Sequence, residues 1–306
     1  MFHCAIIQSR LGNSLKEDFR ELKGLISEIE GSPLLVLMEN YPDIDSISRV
    51  DKGDISQVRE EYSEIMDLAS GMAGEYSIYL SPGVLLEAEG EGLYFSSLLF
   101  NPEGESILKQ RQLYPDRNRV AEIHFKIEGE FQESFIKAGK TINYVETELG
   151  KIGLISGRDC WHPEIGRVLA LENVDIVLAV NNLSFRDSKA VNPWQQIAGI
   201  WSQVQQNQFI ALEASVGGQN LVHGPCEISP YRTGILAPVG KDTKANTKSI
   251  EPYFEDISRI YRKINGFKVI SAGIELSRLK SIRSSYPLLK HLNKPLYCKE
   301  MQGWGS

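Results

Sequence analysis

Short continuous apolar runs alternate along the chain with longer stretches in which apolar residues recur every three or four positions. That alternation predicts strands interleaved with amphipathic helices. Residues 4–8 read as a first strand. Ser14 and Glu17 then form a capping-box pattern ahead of Leu15, Phe19, Leu22, Leu25, Ile26 and Ile29, which are spaced for one helix face. Residues 34–38 are apolar throughout, as expected of a strand buried on both faces, and the run ends on the carboxylate Glu39. A second helical pattern covers 51–74, with Val58, Tyr62, Ile65, Met66 and Ala69 on one side and acids on the other. Strand-like runs follow at 76–80, 83–87, 92–100 and 106–111. Asn101-Pro102-Glu103-Gly104 between the last two reads as a hairpin turn.

The second half repeats the alternation around one abrupt break. Residues 151–156 form a short apolar run bounded by glycine, a buried strand that stops at Gly157. Pro163 sits where a first-turn proline is tolerated, and Glu164, Val168, Leu169 and Leu171 behind it have helical spacing. The stretch therefore reads as strand, tight elbow and helix, a geometry that exposes one side chain at a strand end. Further strands are expected at 174–180, 209–215, 227–229 and 234–237. A helix begins at Asn192-Pro193, with Trp194, Ile197, Ile200, Trp201 and Val204 on one face and both tryptophans in the core. Residues 240–246 read as a polar loop, and 249–265 as a helix carrying Phe254, Ile257, Ile260, Tyr261 and Ile264.

Composition narrows the class. The 306 residues, 42% hydrophobic and 24% charged, are those of an ordinary globular chain with a sizeable core. A net charge of −7 with Lys and Arg spread along the chain argues against nucleic acid as a partner and for a small molecule or another protein. Cys4, Cys160, Cys226 and Cys298 are far apart with no CxxC pairing, which suggests neither a disulfide framework nor a zinc ribbon and points to reduced thiols. His162 lacks a second histidine or acid at helical i+4 spacing, so no metal site is expected there. The N-terminal residues have no basic stretch leading into a long apolar one, and no run approaches a membrane span. The expected location is cytoplasmic, with no membrane partner.

Residues 150–164, GKIGLISGRDCWHPE, resemble the nucleophile segment of the nitrilase superfamily, the carbon–nitrogen hydrolases, whose pattern is G-K-I-G-x-x-I-C-(Y/W)-D-x-x-F-P-E. Gly150, Lys151, Ile152, Gly153, Asp159, Pro163 and Glu164 match in one gapless register, and the family's cysteine falls on Gly157. LLVLMENYP resembles the family's L-V-V-F-P-E segment and puts Glu39 on the general base. Lys109 and Arg111 match a basic-x-R spacing that lands the catalytic lysine on Gln112; a register matching Leu113-Tyr114-Pro115 to the family's L-F-P gives Gln110 instead. Lys109 would serve only after a slip by an odd number, which turns a strand side chain to the opposite face. Phe131-Gln132-Glu133-Ser134 resembles F-K-E-S and makes Glu133 a second acid. Gln206-Asn207-Gln208 and the stretch 272–289 resemble two further family segments, with Gln203 and Gln206 replacing an arginine and a glutamate.

The resemblance implies an α+β fold, a four-layer αββα sandwich over a single domain of 1–306, with a helical insertion at 249–265 and a tail from about 285. It implies a homodimer and no cofactor. In the family a glutamate activates the cysteine, a lysine stabilises the oxyanion and a second glutamate assists. This chain keeps Glu39 and Glu133 and has neither the thiol nor the ammonium in register. Two facing carboxylates without a cation between them repel, so one is expected to stay protonated near neutrality. Cys160, three positions past the elbow, reads as a small buried hydrophobe aimed elsewhere. Arg158 offers a cation beside the elbow, either for a carboxylate ligand or for an ion pair with Asp159 or Glu164. Gln112, Gly157 and Arg158 are thus the candidate ligand contacts. Two functions compete: a non-catalytic binder of a small amide- or carboxylate-like ligand or of a protein partner, and an enzyme using Glu39 or Glu133 to activate water or an amine directly.

Overall fold

Among the described residues, most of the strand-like runs become strands of two mixed sheets. The computed structural model of the chain describes residues 1–8, 14–42, 55–90, 92–115, 136–183, 196–239 and 262–292. In chain order the strands are β1 (Phe2–Gln8), β2 (Leu35–Glu39), β3 (Tyr79–Ser81), β4 (Val84–Glu89), β5 (Gly92–Phe100) and β6 (Ser106–Arg111). They continue with β7 (Tyr144–Thr147), β8 (Gly150–Ser156), β9 (Ile176–Asn182), β10 (Ile210–Val216), β11 (Leu221–His223), β12 (Ile235–Ala237), β13 (Arg262–Ile264) and β14 (Phe267–Ile274). Among the described residues one sheet runs β13-β14-β1-β2-β3-β5-β4, with β6 also on β5, and the other runs β12-β11-β10-β9-β8-β7. The parallel pairs, β1 with β2, β2 with β3, β8 with β9 and β9 with β10, lie in the interior of the two sheets and are buried on both faces.

Strand alternation divides the core into three layers of apolar contact. Cys4, Ile6, Leu35 and Leu37 of the first sheet meet Ile152, Leu154, Leu178 and Leu212 of the second. Ala5, Ile7, Val36 and Met38 point the other way, onto Phe19, Leu22 and Met72 of the helices α1 (Leu15–Leu22) and α3 (Ile55–Tyr76). On the far face of the second sheet, Ile155, Val177 and Ala211 pack on Ile165, Leu169 and Val204 of the helices that follow the elbow. The result is helix, sheet, sheet, helix: the four-layer αββα sandwich.

Most element boundaries agree with the periodicity, and the differences have local causes. The capping box forms as expected, with Ser14 N–H donating to Glu17 at 2.7 Å. The single helix expected over the pattern from Leu15 to Ile29 instead breaks into α1 and α2 (Leu25–Glu28), because Gly24 takes a left-handed φ of 93° between them. Residues 227–229, expected as strand, form a turn, and the strand lies earlier at β11. Of the helix expected over 249–265, residues 249–261 lie outside the described residues and Arg262–Ile264 is strand. The helix expected from Asn192-Pro193 is described from residue 196. Its turn Ile197–Trp201 is a π-bulge kinked at Gly199, and α-helix resumes at Ser202–Asn207. No helix among the described residues is long and apolar enough to cross a membrane.

Candidate functional site

The elbow is built as its sequence requires. β8 ends at Ser156, a 3-10 turn covers Gly157–Trp161, and a helix begins with Pro163 in its first turn. Gly157 has φ of 57°, in the left-handed region where glycine alone carries no Cβ penalty. A Cβ built on Gly157 would overlap the Gln112 side-chain nitrogen and stand 2.7 Å from the Tyr41 hydroxyl. The volume of an elbow side chain is therefore already filled from two other strand ends.

Strand parity decides which residue of β6 reaches the elbow. Lys109 and Arg111 share one face and bind Glu87, with Lys109 Nζ to Glu87 Oε1 at 2.6 Å and Arg111 Nε to Oε2 at 2.9 Å. Burial pushes the Glu87 carboxyl up, but the hydrogen bonds from Arg111, Lys109 and Ser96 outweigh it and bring Glu87 down to about 2. Lys109 is thus an ion-pair residue on the face opposite Gln112. Gln110 shares the Gln112 face but is used locally, donating to Thr141 O at 2.8 Å and accepting from Asn143 N–H at 2.8 Å. Gln112 is the residue at Gly157. Its backbone N–H donates to Phe95 O at 2.8 Å, its Nε2 donates to Tyr114 O at 3.1 Å, and its Oε1 accepts from the Tyr41 hydroxyl at 3.1 Å.

Asp159 fixes this arrangement. Its two oxygens accept the backbone N–H groups of Leu113 and Tyr114, each at 2.8 Å. Burial pushes its carboxyl up to about 7 against the pull of those two bonds, with Glu164 adding to the rise. Outside it, Tyr114 stacks on His162 at 3.6 Å between ring centroids, and both reach Glu164 Oε1. His162 is a supporting residue here.

Glu39 closes β2. Its oxygens accept from Gln8 Nε2 at 3.3 Å and Asn220 Nδ2 at 2.6 Å, and burial pushes it up to about 8 against those bonds and the Lys268 charge. Two residues on, Tyr41 brings the same strand end to the elbow. Glu133 lies outside the described residues. Arg158 is exposed on the 3-10 turn, and Asp159 beside it accepts from the backbone of 113 and 114. Cys160 is fully buried among Ile155, Ile165 and Leu169, and burial drives its thiol well above the ordinary range, with Glu213 and Asp159 adding to the rise. Among the described residues no cluster of three or more His, Cys, Asp or Glu is placed to hold a metal ion. Sequence reasoning missed Tyr41 and Asn220. The sole hint for Tyr41 was its place two residues past a strand-end carboxylate.

A four-layer αββα sandwich with this elbow defines a class, and the family comparison agrees: residues 47–283 match the carbon–nitrogen hydrolase model, so the chain belongs to the carbon–nitrogen hydrolase family. Among particular proteins, it is similar to the omega-amidase NIT2 of Danio rerio, 21% identical over 97% of this chain and 96% of that protein. The fold also matches a carbon–nitrogen hydrolase from Helicobacter pylori G27 with a TM-score of 0.70 at 17% identity, covering 97% of each chain. An amidase from Nesterenkonia sp. AN1 matches with a TM-score of 0.67 at 12% identity over 97% of this chain and 96% of that one. In that structure the acetamide moiety of fluoroacetamide is covalently added at the active-site cysteine.

Proposed function

We propose that this chain is a carbon–nitrogen hydrolase-fold protein that has left the family's thiol chemistry and binds a small amide- or carboxylate-like ligand or a protein partner. The observation that supports this reading is the filling of the Gly157 side-chain volume by the Gln112 amide and the Tyr41 hydroxyl. Glycine can neither attack a carbonyl nor hold an acyl group. A neutral glutamine cannot supply the positive charge that stabilises an oxyanion. Cys160 is no substitute, because a fully buried thiol with a raised pKa presents no thiolate to a ligand. In this reading the exposed Arg158 contacts the ligand at the rim of the elbow, over the wall that Gln112 and Gly157 form, and the protein works in the cytoplasm as a homodimer.

A second reading is favoured by one observation, the burial of Glu39 at the end of β2, which pushes its carboxyl up to about 8, within reach of neutral pH. A general base is most effective when its pKa lies near the working pH. Glu39 or Glu133 would then activate water or an amine without a thioester. Incubation with amides, nitriles and ω-amido acids, following ammonia release and intact mass, separates the two. The first reading expects neither turnover nor an acyl adduct, and an adduct would overturn it. Turnover without an adduct, lost in Glu39→Gln, would establish the second.

A further inference from the structure

Resting on the reading that the elbow carries no nucleophile, we propose that Tyr41 is the positioning residue that locks the Gln112 carboxamide across the elbow, so that the site is occupied by the chain's own amide. Both ends of that amide are matched. Its oxygen accepts from the Tyr41 hydroxyl at 3.1 Å, and its nitrogen donates to the Tyr114 carbonyl at 3.1 Å. A donor facing oxygen and an acceptor facing nitrogen fit a primary carboxamide and not a carboxylate, which has no hydrogen for the Tyr114 carbonyl.

The frame around the amide is fixed independently of it. The Tyr41 ring packs on Phe95 with centroids 5.3 Å apart, and Phe95 O receives the Gln112 backbone N–H at 2.8 Å. Gln112 O accepts from Gly139 N–H at 2.8 Å, and Tyr114 N–H donates to Asp159 at 2.8 Å. The phenol and the carbonyl therefore keep their places when the amide is removed. Gln112 is 1% exposed, so its truncation leaves a hole and not a solvent-filled groove. Gly157 sets the outer wall, since any Cβ there would occupy the same volume.

The test is chemical rescue in the full chain, with acetamide as the probe and acetate as its control. A ligand that binds the folded chain alone raises the unfolding midpoint as its concentration passes its dissociation constant. Acetamide is expected to raise the midpoint of Gln112→Ala saturably and to leave the wild-type midpoint unchanged, while acetate raises neither. Adding Tyr41→Phe to Gln112→Ala is expected to weaken acetamide binding by about fivefold, the worth of one neutral hydrogen bond. Equal acetamide effects on wild type and variant, no rescue, rescue by acetate, or an affinity indifferent to Tyr41→Phe would overturn the proposal. If Gln112→Ala does not fold, hydrogen exchange of the Gln112 side-chain amide, read by nitrogen-15 NMR, decides the question. It should quicken in Tyr41→Phe by a similar factor, and unchanged exchange overturns the lock. An acyl adduct on the wild-type chain would instead overturn the functional reading, leaving the rescue result separately readable.

Discussion

Asp159 Oδ1 accepts the backbone N–H of Tyr114 at 2.8 Å, joining the turn after β8 to the segment that leaves β6 on the other sheet. Its Oδ2 does the same for Leu113, so one buried side chain sets the position of Gln112 relative to Gly157. Asp159→Ala leaves both N–H groups without an acceptor and is expected to cost roughly 2–4 kcal/mol of stability. Asn is a poor replacement, since its NH₂ would face one of the two donors. Urea unfolding measures the loss, and a change below about 1 kcal/mol would show that the clamp is dispensable.

Stability should fall as pH rises through neutrality. Glu39 and Asp159 have ordinary values of 4.5 and 3.8 and sit near 8 and 7 in the fold, raised chiefly by burial. Between those limits the folded chain holds more protons than the unfolded one, so each group's contribution is complete below its unfolded pKa and is lost as pH climbs through the folded one. Glu87 runs the other way: lowered to about 2, it contributes above its ordinary 4.5 and loses that contribution as pH falls. These three groups together place greatest stability between the ordinary values of 3.8 and 4.5, with a decline above. Glu39→Gln should flatten the decline between about pH 5 and 8, by at most about 1.4 kcal/mol per unit for one proton. Urea midpoints across that range decide it, and identical slopes in both proteins would refute the assignment.

Gly157→Ala combines two penalties that can be separated. The left-handed backbone costs a Cβ-bearing residue roughly 1–2 kcal/mol, and overlap with Gln112 and Tyr41 adds roughly 1–3 kcal/mol. Shortening Gln112 to Ala in the same chain relieves part of the overlap and leaves the backbone term. A double-mutant cycle should therefore show a favourable coupling of about 1 kcal/mol or more. Strict additivity would mean that the two residues do not compete for space.

What could be read from the sequence follows from how local each signal is. β5 and β6 were bounded correctly because their apolar runs end in a turn whose Asn101 side chain satisfies its own loop, accepting from Glu103 and Glu105 N–H. The register of β6 separated Lys109 from the elbow, because parity alone puts it with Arg111 on the Glu87 face. The choice between Gln110 and Gln112 stayed open, since both share the other face. Three-residue strands such as β11 and β13 are too short to display a period, and pairing with neighbours defines them. The break at Gly24 lies inside an apolar pattern that continues across it. Tyr41 and Asn220 meet their partners across 71 and 181 positions, and no local pattern marks such contacts.

The last prediction concerns a second buried polar group, across β9, β10 and β11 on the helix-facing side of the second sheet. Glu213 Oε1 accepts from Asn181 Nδ2 at 2.6 Å, and Oε2 lies 2.6 Å from His223 Nε2, with Glu213 and His223 fully buried. Among the described residues His223 Nδ1 and Asn181 Oδ1 have no hydrogen-bond partner, so the carboxylate is what satisfies this group. Glu213→Ala strips both neighbours at once and is expected to cost about 3–5 kcal/mol, as for any buried pair broken from one side. Glu213→Gln should be milder, because its oxygen can still accept from Asn181 while its NH₂ donates to Nε2 of the tautomer protonated on Nδ1. Replacing Glu213 and His223 together with Leu and Phe should recover much of the Ala loss, since apolar packing replaces a polar contact that was costly to bury. Urea unfolding of the four proteins tests the order: wild type most stable, then Glu213→Gln, then the apolar pair, with Glu213→Ala least stable. If Glu213→Ala unfolds within about 1 kcal/mol of wild type, the carboxylate does not hold these three strands' polar groups together.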